Sequence, residues 1–134
     1  MDKEAKILVV EDEPMLRSYL LEIFDMEGVS AIGAADGCDA LEILDASFSA
    51  SARLPRVILL DWLMPCMDGY QVYEKIALDS RLKDTRIIVV SAAGDAIKIP
   101  EGYPAPPMLH KPYEVPELLD IVRQIAPDVF PPES

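Results

Sequence analysis

The chain has 134 residues, 51% of them apolar and 27% charged, enough for one domain with its own core and too apolar for a disordered segment. Twelve Lys and Arg against 24 Asp and Glu give a formal net charge of −12, which repels a phosphate backbone and argues against nucleic acid as a partner. No apolar run reaches membrane-spanning length, and MDKEAK is too charged and too short for a signal peptide, so a cytoplasmic location is expected.

In chain order, KILVV (6–10) is a short β-branched run that reads as a buried strand. Glu13-Pro14 starts a helix whose apolar stripe is Leu16, Leu20, Ile23, Phe24 and Met26, and Gly28 stops it. VSAIGAA (29–35) is a second, weaker strand, and Asp36 is placed to cap a helix with Ala40, Leu41 and Leu44 inward. SFSASARLP (47–55) reads as a polar loop, and RVILL (56–60) as the third strand. From Gly69 a helix turns Val72, Tyr73, Ile76 and Ala77 inward, RIIVV (86–90) is the fourth strand, and PMLH (107–110) is a short fifth. Val115, Leu118, Leu119, Val122 and Ile125 mark a last amphipathic helix, after which 128–134 read as a tail to a domain of 1–127.

Strands alternating with helices at this spacing predict an α/β fold with a parallel sheet covered on both faces, each strand a continuous apolar run. One segment breaks the alternation. Between the fourth and fifth strands the chain runs AAGDAIKIPEGYPAPP (92–107), and Pro100, Pro104, Pro106 and Pro107 leave room for a single helical turn near Asp95–Lys98 at most. Cys38 and Cys66 follow no metal or redox spacing and read as two reduced thiols.

Ligands of open parallel sheets bind beyond the carboxyl ends of the strands. Those ends carry Glu11, Asp12 and Glu13 after the first strand, Asp61 after the third, Ser91 after the fourth and Lys111 after the fifth. With strand order 2-1-3-4-5, Glu11, Asp12 and Asp61 converge, flanked by Ser91 and Lys111. Carboxylates so gathered repel one another and call for a hard divalent cation, for which Mg²⁺ fits. Asp61 is then a nucleophile toward phosphorus, with the lysine and the serine hydroxyl on the remaining phosphoryl oxygens.

VVEDEP, LLDWLMPCMDG, VVSA and HKPY, in this order, resemble the response-regulator receiver domain of two-component signalling, over about Lys6 to Ile125. The resemblance implies a flavodoxin-like, doubly wound five-stranded sheet, and a phosphorelay protein that takes a phosphoryl group from a histidine kinase or histidine phosphotransferase onto Asp61. It assigns Mg²⁺ to Asp12, Asp61 and the Leu63 carbonyl, with Glu11 holding a metal-bound water. Ser91 becomes the switch hydroxyl, Lys111 the partner of Asp61, and the Lys111–Pro112 peptide is expected cis. Such a phosphoprotein is no enzyme with turnover. It signals to a downstream protein target through a phosphorylation-dependent contact, as a monomer or weak dimer. Leu16, Arg17 and Leu20 lie where kinases usually dock.

The chain also departs from that family. Met108 stands three before Lys111, where an aromatic ring usually swings inward, and a thioether has neither ring nor hydroxyl. The fourth helix is shortened or missing, as in the single-domain FAT-GUY receivers of general-stress phosphorelays, which the chain loosely resembles. Leu63 and Ala93, two beyond Asp61 and Ser91, are apolar and cannot orient an attacking water, which implies slow self-dephosphorylation. Two other readings stand beside this one: a degenerate receiver serving as a protein-binding scaffold, and an aspartyl-phosphate hydrolase. The second usually needs an aspartate at the position of Leu63.

Overall fold

The computed structural model describes residues 5–62, 67–92 and 97–132. Five parallel strands, β1 (Ile7–Val10), β2 (Ala31–Ala34), β3 (Val57–Asp61), β4 (Arg86–Ser91) and β5 (Met108–His110), form one sheet in the order β2-β1-β3-β4-β5. Four helices follow in chain order: α1 (Pro14–Met26), α2 (Gly37–Ser49), α3 (Gly69–Ala77) and α4 (Val115–Ile125). Among the described residues between β4 and β5 there is no helix, as the prolines require.

The central strands β1 and β3 are buried throughout, and β4 is buried over Ile88–Ser91. Ile7, Val9, Val57, Leu59, Ile88 and Val90 pack with Leu20, Ile23 and Phe24 of α1 and with Leu118, Leu119 and Val122 of α4. Their neighbours Leu8, Val10, Ile58, Leu60 and Val89 pack with Ala40 and Leu44 of α2 and with Val72, Tyr73 and Ile76 of α3. This period-2 sorting of side chains between two layers makes a doubly wound sandwich. Each large apolar side chain so buried stabilises the fold by about 1.5–3 kcal/mol relative to exposure.

Helix starts follow local chemistry. Pro14 occupies the first turn of α1, the Asp36 carboxylate accepts from the Asp39 N–H at α2, and Asp68 and Gln71 form a reciprocal capping box at α3. Gly28, at φ +75°, ends α1 in the left-handed conformation that glycine adopts without strain.

Several expectations need correction. Met26 and Ala77 face solvent rather than the core, being at the solvent edges of their helices. The loop expected from 47 begins later, because α2 runs on through Ser49, with Phe48 lying under the Arg81 guanidinium. Cys38 is disulfide-bonded and not a reduced thiol; the chain's other cysteine, Cys66, lies outside the described residues. Linear spacing carries no through-space distance, so pairing was not legible. The segment from 128 is packed where it begins: Pro127–Val129 form a 3₁₀ turn, Val129 is buried, and Phe130 lies against the same core.

The single turn expected near Asp95–Lys98 falls partly outside the described residues, and the described segment from 97 to β5 leans on α3. Ile97, Ile99, Tyr103 and Met108 cover the core on that side. The Tyr73 hydroxyl donates to the Pro104 carbonyl at 3.2 Å, and the Tyr73 and Tyr103 rings meet edge to face at 6.4 Å.

Candidate functional site

The carboxyl ends of β1, β3, β4 and β5 meet at one edge of the sheet. Parallel pairing sets Val10 beside Leu60, Asp61 beside Val90, and Ser91 beside His110, so residues distant in sequence arrive at one level. Ligating oxygens of Glu11, Asp12 and Asp61 lie within 4.8 Å of one another. Glu11 and Asp61 are buried and Asp12 is exposed. Lys111 closes the cluster, its Nζ 3.5 Å from Glu11 Oε1 and 3.5 Å from Asp61 Oδ2.

The main chain around these groups is pinned. The Glu13 N–H donates to Glu11 Oε2 at 3.1 Å, and Arg17 Nη1 donates to the Glu11 carbonyl at 2.7 Å. The Arg17 stem also fills the space over Gly33. After β3, the Trp62 N–H reaches the Val90 carbonyl at 3.0 Å, and the Gly69 N–H returns to the Trp62 carbonyl at 2.9 Å. A Cβ on Gly69 would meet the Trp62 ring at 2.6 Å and its Cα at 2.8 Å, so only glycine fits there. The Lys111 N–H donates to the Ser91 carbonyl at 2.7 Å, and the Lys111–Pro112 bond is cis.

Burial raises the Glu11 carboxyl to about 7, and the neighbouring Asp61 charge pushes in the same direction against Lys111. Asp61 is also raised, by burial first, with Lys111 opposing. Burial works against the Lys111 ammonium, but the charges of Asp61 and Glu11 outweigh it and raise its pKa. Three carboxyl groups thus share one lysine, and burial of Glu11 and Asp61 favours their protonated forms.

Of the residues expected at the site, Glu11, Asp12, Asp61 and Lys111 come together, and Ser91 ends the strand beside Asp61, buried. Leu63 and Ala93 lie outside the described residues. Near the cluster are two groups that the sequence did not single out. The Tyr113 hydroxyl is buried without a hydrogen-bond partner among the described residues, and burial with the nearby Glu11 and Asp61 charges pushes its pKa up to about 12. The Ser91 Oγ lies 3.0 Å from His110 Nδ1. Strand register produces this second contact, and no sequence motif announces it. On α1, Leu20 is buried, so it cannot meet a partner; Met15 and Tyr19 are exposed instead, and Tyr19 and Leu16 line a groove of about 440 Å³ with Lys111 to Val115.

The family model for the response regulator receiver domain matches residues 7–123. The sporulation initiation phosphotransferase F of Bacillus subtilis is 31% identical over 124 residues, 91% of this chain and 94% of the relative. The chain spans only part of other relatives: it is 33% identical to the transcriptional regulatory protein CpxR of Klebsiella pneumoniae over 90% of itself but 48% of that protein. Among solved structures, the chemotaxis protein CheY4 of Vibrio cholerae superposes with a TM-score of 0.72 at 25% identity, over 92% of this chain and 99% of that one.

Proposed function

Because the chain belongs to the response regulator receiver family of two-component signalling, we propose that it accepts a phosphoryl group on Asp61 in a Mg²⁺-dependent reaction and signals by a contact that follows phosphorylation. The observation that carries this reading is the gathering of Glu11, Asp12 and Asp61 within 4.8 Å, with Lys111 Nζ 3.5 Å from Asp61.

The donor set fits a hard divalent cation. Among the described residues it offers carboxylate oxygens, and two of the three carboxyls carry a pKa raised by burial that a nearby cation would lower. Glu11, Asp12 and Asp61 would hold the ion, with the Leu63 carbonyl as the further ligand; bound there, Mg²⁺ neutralises charge on the phosphoryl oxygens. An Asp61 carboxylate oxygen attacks phosphorus. The bond from phosphorus to the imidazole nitrogen of a phosphohistidine breaks as the new P–O bond forms, and the imidazole leaves with the electron pair. Lys111 faces the attacked group as a fixed positive charge, and Ser91 supplies a hydroxyl donor to a phosphoryl oxygen. The chemistry is one acceptance per cycle rather than turnover.

Partners follow from the same geometry. The groove formed by Leu16, Tyr19, Tyr113 and Val115 opens beside Lys111, and a histidine kinase or phosphotransferase helix seated there would bring its phosphohistidine to Asp61. A downstream protein target reads the result. A cytoplasmic location goes with the proposed donor, a histidine kinase or phosphotransferase; among the described residues no helix is long and apolar enough to cross a membrane.

Incubation with acetyl phosphate and Mg²⁺, read by intact mass, tests the reading. One added phosphate that requires both Mg²⁺ and Asp61, and is absent in Asp61→Asn, is the expected result. An unmodified chain would leave the scaffold reading, and continuous release of inorganic phosphate at enzymatic rates would favour the hydrolase.

A further inference from the structure

Ser91 ends β4 with its side chain buried, only 1% of the residue being accessible. It stands between two strands. On one side β3 places Asp61 beside Val90; on the other, β5 places His110 directly across from Ser91, Oγ to Nδ1 at 3.0 Å. The bond from the Lys111 N–H to the Ser91 carbonyl locks these two strand ends together, so the ladder sets the two residues side by side. His110 itself is exposed and is the only histidine in the chain.

A serine hydroxyl has one proton to donate, and a neutral imidazole presents one nitrogen that accepts it. We propose that His110 is a positioning residue for phosphoryl acceptance: its Nδ1 accepts the Ser91 proton and holds the hydroxyl toward β5, and a phosphoryl group on Asp61 competes for that same proton and frees the ring. The inference rests on the reading that Asp61 is the acceptor and Ser91 the hydroxyl that meets it.

The geometry also gives β5 a way to report the site without an aromatic residue at 108. Met108 pairs with Val89 and packs on the core with α2 and α3, and its thioether has no proton to exchange with Ser91. His110 is two residues further along the same strand, bonded to Ser91 and open to solvent. Release of its ring changes the surface at the carboxyl end of β5, where His110 is exposed.

The single histidine makes the test direct. In a ¹⁵N-labelled chain free of ligand, Nδ1 is expected to be the unprotonated ring nitrogen and Nε2 the protonated one. Saturation with Mg²⁺ and beryllofluoride, a phosphoryl mimic, should shift Nδ1 strongly in the wild type and leave it still in Ser91→Ala. His110→Ala should bind beryllofluoride about fivefold more tightly, since one ordinary hydrogen bond no longer opposes it. His110→Asn, which returns a polar atom at the same distance from Cβ, should restore the wild-type affinity. A protonated Nδ1 in the free chain, or ring resonances that stay fixed while beryllofluoride is bound, would overturn the proposal, and the wild-type spectrum alone decides this even where a variant fails to fold. If beryllofluoride does not bind and acetyl phosphate leaves the mass unchanged, the acceptor reading has failed and the role of His110 fails with it.

Discussion

The acid cluster ought to make the cation-free protein less stable as pH rises. Glu11 titrates near its ordinary 4.5 in the unfolded chain and at about 7 in the folded one. Between those values the native state holds a proton that the unfolded state has released, so each step up in pH favours unfolding. At about 1.4 kcal/mol per pH decade, Glu11 alone accounts for a loss of about 3 kcal/mol between pH 4.5 and 7. Asp61, raised as well, adds in the same direction. Lys111 is raised too, but its share disappears only as pH passes above the ordinary lysine range, outside this window. The perturbation is Glu11→Gln, which keeps the shape and the acceptor for the Glu13 N–H while removing the charge. Urea unfolding followed by circular dichroism in a chelator at pH 5 to 8 measures it, and 3 kcal/mol corresponds to a midpoint shift of about 1–3 M. The wild type should lose stability across this range and the variant should lose markedly less. Mg²⁺ at about a hundredfold excess over its dissociation constant should return about 2.7 kcal/mol, chiefly at the upper end of the range, where the carboxyls are ionised. Parallel pH slopes for the two proteins, or Mg²⁺ stabilising equally at pH 5 and 8, would refute the reasoning.

Gly69→Ala forces a methyl to within 2.6 Å of the Trp62 ring and 2.8 Å of its Cα, against main chain that is tied by the Gly69–Trp62 hydrogen bond, and should cost about 1–3 kcal/mol in thermal unfolding. Tyr73→Phe removes the donor to the Pro104 carbonyl; hydrogen exchange at the described amides of 98–105 should speed up about fivefold while the core strands stay protected as before. Leu63 and Ala93 offer an attacking water no polar side chain, so the acyl phosphate of the purified chain should survive desalting and an intact-mass measurement; a half-life of seconds would contradict this.

The sheet was legible because strands buried on both faces are written as unbroken apolar runs, and Ile7 to Val10 are all at most 1% exposed. The site was legible for a related reason: a parallel sheet puts every strand's carboxyl end on one side, so the polar residue following each run marks the crevice. What stayed hidden depends on distances that no run of letters carries. Ser47, Phe48 and Ser49 read as loop, yet α2 continues to Ser49 with Phe48 beneath Arg81, a contact with a residue more than thirty positions away. Val129 looked like part of a proline-rich end and is core. The Ser91–His110 bond needs the β4–β5 register, and the bonding of Cys38 needs a through-space neighbour. Tyr113 carries its buried hydroxyl beside the acids because of where the chain turns after Lys111, which HKPY alone does not reveal.

The chain contains a single tryptophan, and it is Trp62, the residue directly after Asp61, buried over Gly69. Its ultraviolet emission therefore arises from one place, next to the acid cluster. If an ion or a phosphoryl group enters the cluster as proposed, a change in this emission would report it, with no dye attached and no other indole contributing background.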